Sequence, residues 1–150
     1  MSDSEDRDVR WIQSILPHRY PMLMVDRVLA LVPGRRIVAI KNVTAGEEVL
    51  QGHFPGWPVM PGVLIIEGLA QTAGILQVHA MSDAERSGKL VYLTSIERAR
   101  FRRPVVPGDQ LRFEVELLRA RPRTAKMDGR AFVGDRRVAE ALLSSTMVER

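Results

Sequence analysis

Apolar positions in the first part of the chain recur first at helical spacing and then in strand-like runs. The helical spacing runs from Val9 to Leu16 and stops before Pro17, which predicts a short helix. The run MLMVDRVLALV, residues 22–32, predicts a strand that ends at a Pro-Gly turn. RRIVAIKNVTA, residues 35–45, predicts its hairpin partner.

A longer segment is apolar on nearly every face. Hydrophobic residues fill most positions from Gly62 to Ala80, which is typical of a helix enclosed on most sides. The preceding residues, 55–61, include three prolines and are expected to form a conformationally restricted loop. The sequence therefore predicts one central helix that begins directly after a rigid loop.

Four strand-like runs follow this helix. They lie at 89–101, 110–122, 123–134 and 136–149, separated by turn residues. Consecutive strands often pair, so we expect the four to be antiparallel neighbours. The last run is the least strand-like, because AEALLSS contains good helix formers. The order of elements predicts an α+β fold in which an antiparallel β-sheet covers one long apolar helix.

Length and composition predict one globular domain. The chain has 150 residues, of which 45% are hydrophobic and 27% charged, enough for one core and too short for two ordinary domains. The polar, acidic residues 1–8 are expected to form a flexible tail, and residues 9–150 the domain. The net charge of +4 indicates a mild preference for acidic partners.

Composition also excludes some kinds of site and location. The chain has no cysteine, which excludes disulfides, thiolate metal sites and a cysteine nucleophile. The N-terminus lacks the pattern of a secretory signal, and Glu67 and Gln71 interrupt the longest apolar run, which makes it a poor membrane span. We therefore expect a cytoplasmic protein without a membrane-inserted segment.

His53 is a candidate general base. It lies between Gly52 and the sequence Phe54-Pro55-Gly56, on a constrained loop where its position would be fixed. The alternative is a histidine that only fills a turn.

Glu67 and Gly62 are candidates for the acid and the oxyanion site. Burial among apolar residues favours the protonated form of a carboxyl group such as that of Glu67, which can then donate a proton. Gly62, at the helix start, offers a backbone N–H that no helical carbonyl uses. The alternatives are a water-facing glutamate in the first helical turn and an ordinary helix cap. A base, an acid and an oxyanion site together suit proton abstraction next to a carbonyl group.

Three stretches carry a family resemblance. GHFPGWPVMPGVLIIEGLAQ resembles the active-site motif of the FabZ-type 3-hydroxyacyl-[acyl-carrier-protein] dehydratases, which have the hot-dog fold. LPHRYPMLMVDRV and ARFRRPVVPGDQL resemble that family's other signatures, in the same order. The resemblance extends over residues 12–148. Trp57 and Gly68 depart from the family pattern, and the glycine is expected to loosen the helix by about 1 kcal/mol relative to alanine.

The resemblance implies a fold, an assembly and a reaction. It implies a sheet wrapped around the long helix, homodimers that join their sheets edge to edge, and often a hexamer of three dimers. His53 and Glu67 match the catalytic residues, which in the family come from opposite subunits. The implied reaction removes water from a (3R)-3-hydroxyacyl thioester on acyl carrier protein, with no metal or organic cofactor.

Further residues are candidates for substrate contact. Leu64 on the helix, with Tyr92 and Phe101 from the sheet, are candidates to line an acyl tunnel, and Tyr92 is a candidate gate by resemblance; ordinary core is the alternative. Arg98, Arg100, Arg102 and Arg103 are candidates for docking the acidic carrier protein, the first three on one side of an extended strand. The alternative is a solvated strand face that charge protects from aggregation. No nucleic-acid motif accompanies these arginines.

The other two histidines, His18 and His79, have weaker functional indications. His18 and Arg19 are expected to shape a turn, or else to support a subunit contact or the active site. His79 needs no function near a helix C-terminus.

The rival functions are an acyl-thioester hydrolase on the same fold and a non-catalytic subunit of a hetero-oligomer. The presence of both His53 and Glu67 favours the dehydratase.

Overall fold

The computed structural model describes residues 7–150. Its helices are α1 (Val9–Ile15), α2 (Glu48–Gly52), α3 (Gly62–Val78) and α4 (Asp83–Arg86). Its strands are β1 (Arg27–Val32), β2 (Arg36–Asn42), β3 (Lys89–Phe101), β4 (Gln110–Ala120), β5 (Thr124–Val133) and β6 (Arg136–Glu149). The predicted helices and strands are all present. The short helices α2 and α4 were not predicted, because each is too short to show a periodic pattern.

Hydrogen bonds of residues 7 and 8 connect the end of the predicted tail to the domain. Asp8 caps α1, since its side chain accepts hydrogen bonds from the backbone N–H groups of Arg10 and Trp11. The Arg7 carbonyl accepts a hydrogen bond from Val28 N–H at 3.1 Å. The remainder of the predicted tail, residues 1–6, lies outside the described residues.

One antiparallel sheet of six strands contains every described strand, in the order β1-β2-β4-β5-β6-β3. The predicted hairpins β1–β2, β4–β5 and β5–β6 are confirmed. The prediction that 89–101 and 110–122 are neighbours is wrong, because β3 pairs with β6. The connection between them carries two prolines and leaves the sheet: its Val105 carbonyl accepts a hydrogen bond from Met60 N–H, in the loop before α3.

Strand β1 begins at Arg27 rather than at the predicted Met22. The backbone of residues 22–24 is hydrogen-bonded to a side chain of α3 instead of to a strand. Gln71 Oε1 accepts from Met24 N–H at 2.8 Å, and Gln71 Nε2 donates to the Met22 carbonyl at 2.7 Å. These bonds fasten the segment before β1 to the long helix.

The core lies between α3 and the concave face of the sheet. Eleven of the seventeen residues of α3 are buried, as the apolar pattern predicts for a helix enclosed on most sides. The sheet contributes a matching set of buried side chains, which includes Ile37, Ala39, Leu111, Phe113, Val115, Met127, Ala131, Ala141 and Leu143. The helix is therefore wrapped by the sheet, as expected.

Gly68 permits the closest approach between α3 and the sheet. A Cβ atom at this position would lie 2.3 Å from Cζ of Phe113, whose side chain is fully buried. Real Cβ atoms do not approach other heavy atoms so closely, and a buried phenylalanine has little room to move. Gly68 is therefore a packing requirement, which corrects the expectation that it merely loosens the helix.

The free edge of β3 is long and apolar. β3 is an edge strand of thirteen residues that pairs with β6 alone. Tyr92, Leu93, Ile96 and Phe101 on this strand are between 39% and 55% exposed. Natural proteins seldom leave such an edge uncovered, because its unpaired backbone groups attract other strands.

We expect Gly68→Ala to destabilise the fold and Gly74→Ala, on the same helix, to stabilise it. The first puts a methyl group into the Phe113 ring and should lower the free energy of unfolding by about 1–3 kcal/mol. At Gly74 the new Cβ would meet only Leu16 Cδ2, at 3.6 Å, so the higher helix propensity of alanine should add up to about 1 kcal/mol. Urea denaturation at matched protein concentration measures both, and equal stability of the two variants would contradict the packing role of Gly68.

Candidate active site

His53 lies where α2 ends and a short closed loop begins. Backbone hydrogen bonds close this loop: Val59 N–H donates to the His53 carbonyl at 2.9 Å, and Phe54 and Trp57 exchange a pair of bonds at 2.8 and 2.7 Å. The imidazole stacks on the Phe54 ring with 4.0 Å between ring centroids. The loop therefore fixes both the backbone and the ring of His53.

A hydrogen bond to a carbonyl sets the tautomer of His53. Its Nδ1 lies 2.6 Å from the Val59 carbonyl oxygen. A carbonyl can only accept, so Nδ1 carries the proton and donates it. The lone pair of the neutral imidazole is then on Nε2, which is the arrangement that a general base needs.

Gly62 is the first residue of α3, directly after the N-cap Pro61. No side chain caps this helix start, and within the described residues the Gly62 N–H donates to no protein acceptor. Its Cα is covered by the Phe101 ring, because a Cβ here would lie 2.7 Å from Phe101 Cε1. An N–H at a helix start attracts negative charge, so this group can hold a developing oxyanion.

Glu67 lies in the second turn of α3, not in the first turn as the water-facing alternative requires. Its side chain is 24% exposed, and Oε1 accepts a hydrogen bond from Gln71 Nε2 at 2.8 Å. The Nε2 atom of His18 is 3.6 Å from the same oxygen. Gln71 was not predicted as part of the site, although its position four residues after Glu67 on one helix is a signal for such a contact.

A cavity of about 680 Å³ adjoins Glu67. Its lining includes His18, Gln71 and Tyr92, and apolar side chains from α3 and the sheet, among them Ala73, Met127 and Leu143. Of the three predicted tunnel residues, only Tyr92 lines this cavity. Leu64 packs against the core, and the Phe101 ring packs against the backbone of Gly62. The volume and the mixed lining are typical of a site for a small apolar ligand.

His53 does not line this cavity, and within the described residues no hydrogen bond or ion pair joins His53 to Glu67. The chain therefore holds each of the two groups in a fixed position but does not bring them together. Within residues 7–150 of one chain, therefore, neither a shared cavity nor a direct contact connects His53 and Glu67.

The candidate docking arginines differ from one another in their surroundings. Arg102 forms an ion pair with Glu140, which also binds Arg137 at 2.6 Å. The hydrogen bond from Arg102, and to a smaller extent that from Arg137, lowers the pKa of Glu140. Arg98 lies in a β-bulge between Glu97 and Arg100 and has a φ of 52°. Because a bulge interrupts the alternation of side chains, Arg98, Arg100 and Arg102 do not form the simple one-sided row that was predicted.

Other features bear on the function less directly. His79 caps the C-terminal end of α3, with Nδ1 close to the carbonyls of Ile75 and Leu76, and does not line the cavity. Among residues 7–150, no three His, Cys, Asp or Glu side chains lie close enough together to hold a metal ion. No helix in that range is both long and apolar enough to cross a membrane.

Comparison with solved structures supports the fold. The dehydratase heterocomplex ApeI:P from Xenorhabdus doucetiae superposes with a TM-score of 0.80 at 19% identity, over 93% of this chain and 91% of that one. A hot-dog-like protein from Thermanaerovibrio acidaminovorans superposes with a TM-score of 0.62 at 19% identity, over 79% of this chain and 84% of that one. The predicted hot-dog fold is thereby confirmed.

Comparison with known sequences supports the family. Residues 16–142 match the FabA-like domain. The 3-hydroxyacyl-[acyl-carrier-protein] dehydratase FabZ of Koribacter versatilis is 52% identical over 143 residues, which cover 95% of this chain and 90% of that protein. The chain therefore belongs to the FabA-like family, together with the FabZ 3-hydroxyacyl-[acyl-carrier-protein] dehydratases.

Proposed function

We propose that this protein dehydrates (3R)-3-hydroxyacyl-[acyl-carrier-protein] to the trans-2-enoyl thioester in fatty-acid biosynthesis. The observation that carries the proposal is that the chain holds both a histidine whose Nε2 is free to accept a proton and a glutamate that lines a cavity with apolar walls and a few polar groups. FabZ relatives that share about half of their residues with this chain support the same reaction.

The proposed mechanism is an elimination by general acid and base. His53 Nε2 removes a proton from C2 of the substrate, and the C2–H electron pair forms the C2–C3 double bond. The Gly62 N–H donates to the thioester carbonyl oxygen, where negative charge develops. Glu67 protonates the C3 hydroxyl group, which leaves as water with the electrons of the C3–O bond. Transfer of the proton from His53 back to Glu67 restores the enzyme, and the reaction uses no metal or organic cofactor.

We propose that a second copy of the chain completes this site. His53 and Glu67 are separate within one chain, and the apolar edge of β3 provides a surface on which two copies can pair edge to edge. We therefore propose a homodimer in which His53 of one copy faces Glu67 of the other. The family resemblance extends this to a hexamer of three dimers.

The acidic carrier protein is proposed to bind near β3. Arg98, Arg100 and Arg103 are exposed and form no ion pair with another described residue. Free guanidinium groups attract acidic partners and speed their association. Arg102 contributes less to such a surface, because Glu140 already neutralises it.

Removal of either catalytic side chain should abolish most activity. We expect His53→Ala and Glu67→Gln each to lower kcat by about 100-fold or more, the usual contribution of a general acid or base. Hydration of a crotonyl thioester, followed by ultraviolet absorbance, measures this, with His79→Ala as a folded control that keeps its activity. Near-normal turnover in either variant would contradict the assigned roles, and release of free thiol by the wild type would indicate the hydrolase instead.

Mixed dimers test whether the site is shared. A dimer of one His53→Ala chain and one Glu67→Gln chain contains one intact site if the two residues come from opposite chains. Co-expression of the two variants should then restore about a quarter of wild-type activity, because half of the dimers are mixed and each holds one working site. If the site lies within one chain, the mixture stays as inactive as its components.

Charge reversal tests the docking surface. Arg98→Glu combined with Arg100→Glu should raise KM for the carrier-bound substrate by about tenfold or more and leave KM for a small, uncharged thioester analogue unchanged. Arg36→Glu, on an exposed arginine in the hairpin of β1 and β2, is the matched control. An equal rise in both KM values would mean that the arginines support the site rather than bind the carrier protein.

A further inference from the structure

His18 lies beside Glu67 on a loop that is fastened to α1. The neighbouring Arg19 guanidinium donates hydrogen bonds to the carbonyls of Leu16, His18 and Gln13, at 2.9, 2.8 and 3.1 Å. These bonds hold the loop, and the His18 side chain, which is 29% exposed, lines the cavity. Its position relative to Glu67 is therefore set by the fold.

The surroundings of His18 select one tautomer. Burial lowers the pKa of His18; the charge of Glu67 opposes this decrease and that of Arg19 adds to it, so the ring is neutral at pH 7. Its Nδ1 atom is buried and has no hydrogen-bond partner. A proton on Nδ1 would be a buried donor without an acceptor, which is more costly than a bare lone pair. The proton is therefore on Nε2, which lies 3.6 Å from Glu67 Oε1.

The two oxygens of Glu67 have different environments. Oε1 accepts from Gln71 Nε2 at 2.8 Å and is the oxygen nearest to His18. Oε2 has no hydrogen-bond partner among the described residues. The separation of 3.6 Å to His18 is longer than a hydrogen bond, but catalytic contacts are often long before substrate binds and shorten afterwards.

We propose that His18 is a positioning residue for Glu67: it directs its Nε2–H to Oε1, beside Gln71, and leaves Oε2 as the oxygen that gives its proton to the leaving hydroxyl group. This inference rests on the proposed dehydratase function. When Oε2 gives up its proton, negative charge spreads over both oxygens of the carboxylate. A donor already aimed at Oε1 stabilises that charge without further reorganisation.

This role affects the chemical step more than substrate binding. A donor that stabilises charge formed only during the reaction raises kcat and leaves KM almost unchanged. A side chain that merely packs against the acyl chain would change KM instead. His18 also forms part of the cavity wall, and a substitution must keep this packing constant.

The test compares His18→Met with His18→Gln, two side chains of similar length of which only glutamine offers an N–H near the position of Nε2. We expect the methionine variant to lose about 10- to 100-fold in kcat, the range for loss of a hydrogen bond to a charged group, and the glutamine variant to recover most of it. KM for the crotonyl thioester should change less than about twofold in both. His79→Met is the control for loss of a histidine outside the cavity, and thermal melting reports folding.

The same substitution in a Glu67→Gln background separates positioning from packing. If His18 acts through the carboxylate, His18→Met should lower the residual activity of Glu67→Gln by less than about twofold. An undiminished loss in that background, a loss that glutamine does not rescue, or an unchanged kcat in His18→Met would each overturn the inference. If the methionine variant does not fold, His18→Asn replaces it in the comparison with His18→Gln. The shorter asparagine side chain holds its N–H too far from Oε1, so only the glutamine variant should keep kcat. A wild type without hydratase activity would instead overturn the proposed function itself.

Discussion

The buried amide of Gln71 joins the segment before β1 to Glu67 on α3. This side chain is 2% exposed and makes three hydrogen bonds: to Met24 N–H, to the Met22 carbonyl and to Glu67 Oε1. Because a buried polar group without a partner destabilises a fold, loss of any one of these three hydrogen bonds would lower the stability of the protein. Through Gln71 the path of the segment before β1 and the orientation of the glutamate are set together.

The side chains of and around the candidate site lie on α3 and on two loops. The helix supplies the Glu67 carboxylate, the Gln71 amide that binds it and, at Gly62, an N–H that has no acceptor among residues 7–150. The loop after α2 holds His53 with its proton on Nδ1, and the loop after α1 holds the imidazole of His18 beside Glu67. Because the helix carries Glu67 and hydrogen-bonded loops carry His53 and His18, the fold fixes the position of each of these side chains before any ligand binds.

The sequence predicted the elements well and their arrangement less well. The apolar segment from Gly62 and the alternating runs after it were enough to predict a helix under an antiparallel sheet. The neighbour of β3 was mispredicted, because strand pairing depends on where a proline-containing connection leads and not on order along the chain. Similarly, the choice of nitrogen on His53 depends on a carbonyl six residues away, whose approach no local pattern reveals.

For the candidate site, too, the residues were predicted better than their arrangement. His53, Glu67 and Gly62 were singled out because an ionisable group in an apolar run and a glycine at a helix start are visible in the sequence. The lack of contact between His53 and Glu67 within one chain was not visible, since a difference of fourteen positions along the sequence permits contact as well as separation. Arg98 illustrates a further limit, because one extra residue in a bulge cancels the alternation on which a one-sided arginine row depends.

The contact between Gly68 and Phe113 also fixes the position of α3 along its own axis. An α-helix that advances by one residue moves about 1.5 Å and turns by about 100°. A displacement of that size would bring a side chain with a Cβ against the Phe113 ring and would turn Glu67, the adjacent residue, away from the cavity. Packing at Gly68 thus also fixes the position of the neighbouring Glu67 side chain relative to the cavity.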